Sequence, residues 1–396
     1  MSDALVKTKI DSLASGGAGL ARLDGKSLFT EGTIPGETVL CRLAKDHGSW
    51  LEADLLEVTE PSPGRVDCAC DYAGVCGGCG LQHMSYEAQL EAKAAMLTDA
   101  FRRIVGFEPA KPKVLSCTPW EYRNRMQFHA IRKFDKNNPD AYCGLKAKKS
   151  TDIIAVTDCP VADPGIRSLL TKPGKEAKGV LVSPLKDRVT VYARDGLLLS
   201  EANMSRGKTA VLGKNLALDA GVFFQSNGAM LEKLAADIAE IAGNLAAGEK
   251  ERPAADIYCG VGTFAAFFGH LFQKVDMVEE NKAALALARL NTAGLENTAF
   301  YAMRAENWAK TAGLGRYGFA VADPPRQGME NALVRRLAES GSAVFAYVSC
   351  NPATLARDSK TLLSGYELSD LRLYDFYPQT AHIESLAVFT RRKEGR

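Results

Sequence analysis

The chain has 396 residues, of which 46% are hydrophobic and 24% are charged, and its formal net charge is +2. This length and hydrophobic content predict two or three globular domains with ordinary cores and exclude a disordered chain. A net charge so close to zero does not by itself indicate nucleic acid or a membrane as partner, so local clusters must decide that question.

The N-terminus, Met1 to Ala4, lacks the basic and apolar regions of a signal peptide. The longest apolar stretch, residues 259–272, is too short and too rich in glycine to span a bilayer. We therefore expect a cytoplasmic protein without membrane contact. In a reducing compartment ten cysteines do not form a disulfide framework, so clustered cysteines indicate metal binding or catalysis.

Residues 9–60 contain short alternating segments that are interrupted by glycine turns, which predicts a small β-barrel of about five strands. The phrase from Gly32 to Val39 resembles a TRAM domain, an OB-like barrel that often accompanies RNA-modifying enzymes. Such barrels bind oligonucleotides on one face. The alternative is a structural β-module without a ligand. Pro61 to Gly64 marks the boundary of this first domain, residues 1–60.

Three cysteines follow at spacings typical of a metal site: Cys70, Cys76 and Cys79, with two glycines between the last pair. A tight loop of this kind turns its sulfurs toward one point. A fourth ligand must come from a distance. The candidates are Cys41, Cys68, Cys117, Cys143 and Cys159, of which the last is followed by Pro160, which fixes the backbone just past the thiol. A structural zinc site would use the same four thiolates, and unliganded buried thiols are the remaining alternative.

The rest of a central α+β domain, residues 61–215, carries a helix, two strands and a basic window. Helical spacing of apolar residues predicts a helix from Tyr86 to Val105, packed behind the cysteine loop. Strand-like segments cover residues 179–182 and 189–192.

The stretch from Arg123 to Ser150 contains eight lysines or arginines and two aspartates, which gives a local net charge of +6, and aromatic residues are interleaved with the charged ones. This composition is typical of a surface that neutralises phosphates and stacks unpaired bases. A sheet with a solvated basic face is the alternative. The basic residues of the window are Arg123, Arg125, Arg132, Lys133, Lys136, Lys146, Lys148 and Lys149, and the aromatic ones are Tyr122, Phe128, Phe134 and Tyr142.

A nucleotide-type turn begins the C-terminal part, residues 216–396. After a helical segment that ends near Ala242, a strand at residues 254–258 leads into Gly260 and Gly262, where a Cβ would collide with a ligand. The pattern also satisfies the loose dinucleotide fingerprint, with Glu279 placed to meet ribose hydroxyls. The acidic, rigid loop Asp323-Pro-Pro at a later strand end favours S-adenosylmethionine, because such loops are typical of enzymes that methylate nucleic-acid bases.

Another strand, ending in Tyr347-Val348-Ser349, stops at Cys350 before an Asn-Pro turn. Open α/β sheets carry their chemistry at strand C-termini, so this thiol is a candidate nucleophile. The alternative is a small buried apolar residue.

Taken together, these motifs resemble the RNA uracil-5-methyltransferase family over essentially the whole chain, specifically its iron–sulfur, TRAM-bearing branch that modifies 23S ribosomal RNA. The resemblance implies an α/β fold with a Rossmann-like class I methyltransferase domain at the C-terminus. It also implies a [4Fe-4S] cluster on Cys70, Cys76, Cys79 and Cys159. The positions that match contacts to S-adenosylmethionine are Gln225, Tyr258, Thr263, Glu279 and Asp323, although relatives often carry Asn at the position of Thr263. Further motifs that carry the resemblance are Tyr122-Arg-Asn-Arg125, Phe223-Phe-Gln225 and His382-Ile-Glu384.

In such an enzyme Cys350 would add to C6 of a flipped-out uridine, and Glu384 would be the general base that removes the C5 proton. We expect a monomer that acts on RNA, with ribosomal RNA as the expected substrate. Transfer RNA as substrate, cytosine C5 as target, and a non-enzymatic iron–sulfur RNA-binding protein are the alternatives. The last would have no use for a strand-end Cys350 paired with Glu384.

Overall fold

The computed structural model describes residues 4–131, 142–172 and 174–392. The strands between Leu5 and Glu60 form one six-stranded sheet with the order β1-β5-β6-β4-β3-β2, one strand more than the sequence predicts. Alternating side chains of these strands pack into a core of their own, which includes Ile10, Leu28 and Val39. The strands are β1 (Leu5–Lys9), β2 (Ser12–Leu13), β3 (Gly19–Leu23), β4 (Lys26–Thr30), β5 (Thr38–Asp46) and β6 (Trp50–Glu60).

Helix α1 (Tyr86–Ile104) confirms the helix that the apolar spacing predicts. The Ser85 side chain caps it by accepting a hydrogen bond from the amide of Ala88. Its buried face, however, packs mainly into the core of the C-terminal sheet, where Leu97 and Phe101 are fully buried. Strand β7 (Lys113–Leu115) joins the edge of the same sheet. Two elements of the predicted 61–215 domain therefore belong to the C-terminal core.

The central region contains a five-stranded sheet with the order β10-β9-β8-β11-β12. The prediction of a strand at residues 179–182 is wrong, because this stretch belongs to a helix. Ala177 and Leu181, four residues apart, lie on one buried helical face there. The elements are β8 (Arg125–Ala130), β9 (Cys143–Lys146), β10 (Ile153–Ala155), α2 (Pro164–Thr171), α3 (Lys175–Leu181), β11 (Arg188–Arg194) and β12 (Leu197–Ser200). A hairpin of β13 (Arg206–Val211) and β14 (Lys214–Asp219) follows.

The C-terminal part is an eight-stranded sheet with the order β17-β16-β15-β18-β19-β21-β20-β7. Its central strands are buried along their whole length because helices cover both faces. The strands are β15 (Ala254–Ile257), β16 (Val275–Val278), β17 (Thr298–Tyr301), β18 (Phe319–Ala322), β19 (Val344–Ser349), β20 (Tyr366–Tyr374) and β21 (Glu384–Arg391). The helices are α4 (Gly228–Gly243), α5 (Ala247–Lys250), α6 (Thr263–Phe268), α7 (Lys282–Asn291), α8 (Ala305–Ala312), α9 (Asn331–Ser340) and α10 (Pro352–Leu362).

Two features of this sheet position the site. The strand order runs outward from β15 through β16 to β17 and then reverses to β18, so a topological switch point lies between β15 and β18. In open α/β sheets ligands bind at the carboxyl ends of the strands at such a point. Strand β21 runs antiparallel to β19, so its first residue, Glu384, lies at the carboxyl edge of the sheet. Among the described residues, no helix has the length and hydropathy that crossing a bilayer requires.

Candidate active site

A cavity of about 540 Å³ lies at this edge of the sheet, beside the switch point. The structure brings every predicted cofactor-binding and catalytic residue to its wall. These residues are Gln225, Tyr258, Thr263, Glu279, Asp323, Cys350 and Glu384. They come from segments that are up to 159 residues apart in sequence, so their meeting is a property of the fold.

The turn after β15 forms one end of the cavity and has an unusual backbone. Gly262 has φ of 79°, and a Cβ at that position would lie 2.8 Å from Cε of Met277. Glycine is required there because an L side chain would be both strained and obstructed. Glu279 stabilises the turn, since its Oε2 accepts a hydrogen bond of 3.1 Å from the amide of Gly260. Asp256 accepts another, of 3.1 Å, from the amide of Ala265 in α6.

Tyr258, in the same turn, also has a positive φ, of 60°. Its hydroxyl donates a hydrogen bond of 2.5 Å to Glu330, which in turn accepts from Arg304 at 3.2 Å. Both partners line the cavity, and neither was singled out from the sequence. The Tyr258 hydroxyl is therefore already bound to another residue of the cavity wall.

Three acidic groups meet in this cavity, and one of them, Asp323, lies beside the end of β15, since its amide donates a hydrogen bond of 3.3 Å to the Ile257 carbonyl. Burial raises the pKa of Asp323 to about 7, and burial together with the nearby Asp323 raises the pKa of Glu384 well above its usual range. Burial, Glu384 and Asp323 together raise the pKa of the Cys350 thiol to about 12, with Arg326 acting in the opposite direction. Without a further cation, the surroundings of Asp323, Glu384 and Cys350 therefore favour the protonated forms of all three groups.

Strand pairing holds Cys350 and Glu384 side by side. Ser349 pairs with Ser385 across β19 and β21, and the Ser385 hydroxyl donates to the Ser349 carbonyl at 3.0 Å. Cys350 and Glu384 are the next residues beyond this pair. The Asn351 side chain accepts from the amide of Ala353 and so caps α10, which fixes the turn after Cys350.

Arg326, His382 and Tyr377 also line the cavity, and sequence reasoning gave none of them a role. A 3.2 Å contact joins an Arg326 nitrogen to Nδ1 of His382. Burial and then Arg326 lower the pKa of His382 to about 4, so this imidazole is neutral at pH 7. His382 stands inside a motif noted from the sequence, and Arg326 directly follows the Asp323-Pro-Pro loop, whereas nothing in the sequence marked Tyr377.

The four predicted metal-binding cysteines line a second, much smaller cavity of about 30 Å³. Arg123 also lines it, while the exposed Cys68 does not. The Cys76 sulfur accepts a hydrogen bond of 3.4 Å from the amide of Gly78. Burial raises the pKa of the Cys159 thiol to about 12. Within the described ranges, no three His, Cys, Asp or Glu side chains are close enough together to hold a single metal ion.

The basic window is only partly a free surface. Lys148 and Lys149 form ion pairs of 2.5 and 2.8 Å with Glu31, which ties this window to the N-terminal sheet. Arg125 lies 5.8 Å from the ring of Phe223, a mostly exposed aromatic residue at the cavity. Arg132, Lys133, Phe134 and Lys136 lie outside the described residues.

The doubly wound sheet, with its cavity at the switch point, defines a class I methyltransferase fold. A solved tRNA (uracil-54, C5)-methyltransferase of Pyrococcus abyssi, in complex with S-adenosyl-L-homocysteine, shares it with a TM-score of 0.73 at 22% identity, over 97% of this chain and 100% of that one. Residues 208–393 match the family model described as tRNA (Uracil-5-)-methyltransferase, and residues 6–56 match the TRAM domain.

Two curated relatives extend the match over nearly the whole chain. The 23S rRNA (uracil(1939)-C(5))-methyltransferase RlmD of Pseudomonas fluorescens is 32% identical over 96% of this chain and 93% of its own length. A protein of Treponema denticola described as an uncharacterized RNA methyltransferase is 32% identical over 99% of this chain and 100% of its own length. The chain belongs to the RNA uracil-5-methyltransferase family, which confirms the resemblance seen in the sequence.

Proposed function

We propose that this protein transfers the methyl group of S-adenosylmethionine to C5 of a specific uridine in RNA, with 23S ribosomal RNA as the substrate. The observation that carries the proposal is the adjacency of the Cys350 thiol and the Glu384 carboxyl in a cavity that the glycine turn also lines. Membership of the family and the ribosomal substrate in the name of the Pseudomonas relative support it.

The glycine turn is the cofactor end of the cavity. The Glu279 carboxylate, held against the Gly260 amide, is placed to accept hydrogen bonds from ribose hydroxyls. The Tyr258 ring offers a flat surface for the adenine, with Thr263 and Gln225 on the same wall. The buried oxygen Oε1 of Gln225 has no hydrogen-bond partner among the described residues, so it is available to a ligand. Asp323 would face the sulfonium.

In the proposed reaction Cys350, S-adenosylmethionine and Glu384 act one after another. Uracil C5 is a weak nucleophile, so the Cys350 thiolate first forms a bond to C6, and the electrons of the C5–C6 double bond move toward O4 as an enolate. S-adenosylmethionine would supply an electrophilic methyl group: C5 becomes bonded to it as the methyl–sulfur bond breaks, and the electron pair of that bond leaves with S-adenosylhomocysteine. Glu384 then takes the remaining proton from C5, the double bond re-forms, and the C6–sulfur bond breaks to release the thiolate.

Both catalytic groups must be ionised for this sequence, although the free cavity favours their protonated forms. A positive sulfonium beside Asp323 would favour the charged forms of all three acids, because an opposite charge within a few ångströms stabilises an anion. The cavity thus couples cofactor binding to the ionisation of Cys350 and Glu384.

The target base must leave the RNA stack to reach Cys350, which costs a few kcal/mol and favours loops and single strands. In this proposal residues 1–60 and the basic window, in residues 61–215, hold the refolded RNA, and residues 216–396 carry out the transfer. Phe223, exposed beside Arg125, is placed to contact bases at the cavity. We propose that the enzyme acts as a monomer.

We also propose that Cys70, Cys76, Cys79 and Cys159 hold a [4Fe-4S] cluster. The fit rests on four thiols around one cavity, with Arg123 close enough to favour their thiolates. A single zinc ion would hold its sulfurs only about 3.8 Å apart, from a zinc–sulfur bond of about 2.3 Å in a tetrahedron. Among the described residues no three metal ligands lie so close together, so the proposal of a cluster is supported only by the cysteine spacing and the shared cavity. Its role would be to hold the loop.

Incubation of the purified protein with methyl-labelled S-adenosylmethionine and total RNA, followed by mapping of the labelled base, tests the proposed function. We expect 5-methyluridine at one position of 23S ribosomal RNA. Label in transfer RNA would change the substrate, and 5-methylcytosine would change the target base. The absence of any labelled RNA would leave a non-enzymatic RNA-binding protein.

A further inference from the structure

One short segment, residues 375–383, joins β20 to Glu384, the first residue of β21. Several distant parts of the chain bind this segment. In the N-terminal sheet region Gly17 packs so closely that a Cβ added to it would lie 2.9 Å from Ala381. The residues that form hydrogen bonds to the segment are Gly80 and Leu81, just after Cys79, Gln89 and Lys93 of α1, Tyr122, and Asn227 at the start of α4.

Gln89 makes the densest of these contacts and is completely buried. Its Oε1 accepts a hydrogen bond of 2.8 Å from the Gln379 amide, and its Nε2 donates one of 2.9 Å to Gln379 Oε1. The same Nε2 donates to the carbonyls of Leu81 and Met84, at 3.2 and 3.0 Å. One buried amide therefore binds both the segment and the stretch that follows the cysteine loop.

The backbone at Gln379 is held in an unfavourable conformation by these contacts. Gln379 has φ of 67°, a value that costs energy for any residue with a Cβ. Its carbonyl accepts two hydrogen bonds of 3.0 Å, from the amides of Gly80 and Leu81. Such a conformation persists only where the surroundings determine it, so the contacts of Gln89, Gly80 and Leu81 act together on one residue.

A buried ion pair fixes the start of the segment. Lys93 donates to Asp375 at 2.6 Å, and both side chains have 0% exposure. Lys93 also donates to the Tyr377 carbonyl at 3.0 Å, and the Tyr122 hydroxyl donates to the Pro378 carbonyl at 2.8 Å. A buried pair of this kind is stabilising only in one geometry, since displacement of either partner leaves a charge without compensation.

Glu384 depends on this framework more than Cys350 does. The buried oxygen Oε1 of Glu384 has no hydrogen-bond partner among the described residues, so that oxygen is positioned by its backbone. Cys350, by contrast, precedes the turn that Asn351 fixes through the α10 cap and through a 3.1 Å hydrogen bond to the Arg326 carbonyl. Glu384 is the first residue of β21 and pairs there with Tyr374 of β20, while the last pair printed with β19 is that of Ser385. It therefore lies where the 375–383 segment meets the sheet, and loosening of that segment would shift the carboxylate more than the thiol.

We propose that Gln89, through its pairing with Gln379, is a positioning residue for Glu384. This inference rests on the proposed function, in which Glu384 removes the C5 proton after methyl transfer. Gln89 touches neither substrate nor cofactor. Gln89 holds the 375–383 segment, and the end of this segment sets the distance from the Glu384 carboxylate to the methylated base. The reaction step that Gln89 affects is therefore product release.

The test compares Gln89→Met, which keeps the side-chain volume but removes all four hydrogen bonds, with Glu91→Gln on the exposed face of the same helix. A second variant, Gln379→Gly, removes the side-chain partner at a position whose φ suits glycine, so it keeps the fold if Gln89→Met does not. The measured quantity is the ratio of methyl-labelled covalent protein–RNA complex to released methylated RNA.

We expect Gln89→Met and Gln379→Gly to release product about 10- to 100-fold more slowly, because a misplacement of about 1 Å costs on this scale. The labelled complex should accumulate, while the KM for S-adenosylmethionine stays within about twofold of the wild-type value. Glu91→Gln should match the wild type. A parallel loss of complex and product in both variants, which is the result of simple destabilisation, would overturn the inference, as would wild-type release. A wild-type protein that labels no RNA would instead overturn the proposed function itself.

Discussion

Cys350 and Glu384 lie immediately beyond the Ser349–Ser385 pair that joins β19 to β21, so two antiparallel strands present them at one edge of the sheet. Burial raises the pKa of the Cys350 thiol, and the negative charge of the nearby Glu384 carboxylate raises it further. In the proposed mechanism these two side chains, the nucleophile and the base, act at successive steps of one reaction.

The first prediction separates the two residues. Cys350→Ala should abolish both methylation and any covalent RNA complex, because no bond to C6 forms. Glu384→Gln should still transfer the methyl group but release product about 10²–10⁴-fold more slowly, the usual cost of losing a general base. A denaturing gel with labelled cofactor would show a stable band for Glu384→Gln only. Rapid turnover of Glu384→Gln without a band would remove Glu384 from the mechanism.

The second prediction concerns proton release on cofactor binding. The pKa of Asp323, about 7, and the raised pKa of Glu384 leave protons on these groups in the free protein at neutral pH. Binding of S-adenosylmethionine, whose sulfur is positively charged, should release these protons, so its affinity should increase as the pH rises from 6 to 8. The sulfur of S-adenosylhomocysteine is uncharged, so the affinity for this ligand should depend less on pH. Calorimetry in two buffers of different ionisation enthalpy measures the protons. Equal proton release by both ligands would contradict the coupling.

The third prediction concerns the metal. Protein prepared without oxygen should be brown and contain iron and inorganic sulfide, and Cys159→Ser should lose both. Cys68→Ser is the matched control, because Cys68 is exposed and does not line the cysteine cavity. Metal analysis and visible spectroscopy provide the measurement. Stoichiometric zinc without iron would replace the cluster by a zinc site.

The fourth prediction concerns stability and pH. Burial raises the pKa of Asp256 to about 8, so the folded protein keeps a proton that the unfolded chain loses near pH 4. Its contribution to the free energy of unfolding therefore falls as the pH rises between these values, by up to about 1.4 kcal/mol per pH unit. Asp256→Asn keeps an acceptor for the Ala265 amide and should reduce this fall. Urea unfolding at pH 5 and pH 7.5 would show it, and equal slopes for both proteins would contradict it.

The fifth prediction concerns RNA binding. Each phosphate contact contributes a slope of about −0.7 to the dependence of log K on log salt for single strands. Neutralising Arg132 and Lys133 should therefore flatten the slope by about 1.4 if each meets one phosphate. Neutralising Lys148 and Lys149 is the control, and it should change the slope less because both are already paired with Glu31. The reverse order of effects would show that RNA breaks those ion pairs.

Local patterns were enough to predict much of the site. Glycines in a turn, a thiol at a strand end and an Asp-Pro-Pro loop can be recognised from a few residues, because glycine and proline restrict or widen the backbone conformations available at their own positions. Gln225, Tyr258 and Cys350 all reach the cavity as predicted. The strand at residues 179–182 was predicted wrongly because a short apolar stretch suits either a strand or a helix until its packing partners are known.

Sequence alone determined the family, the methyltransferase turn and the residue types that meet in the cavity, since each is set by neighbours along the chain. Only the tertiary structure decided that α1 and β7 belong to the C-terminal core, and that Glu384 reaches the cavity from the start of an antiparallel strand. It alone pairs Gln89 with Gln379, 290 residues away. Such pairings depend on which surfaces the folded chain buries together, and a buried amide carries no local pattern that would reveal its partner.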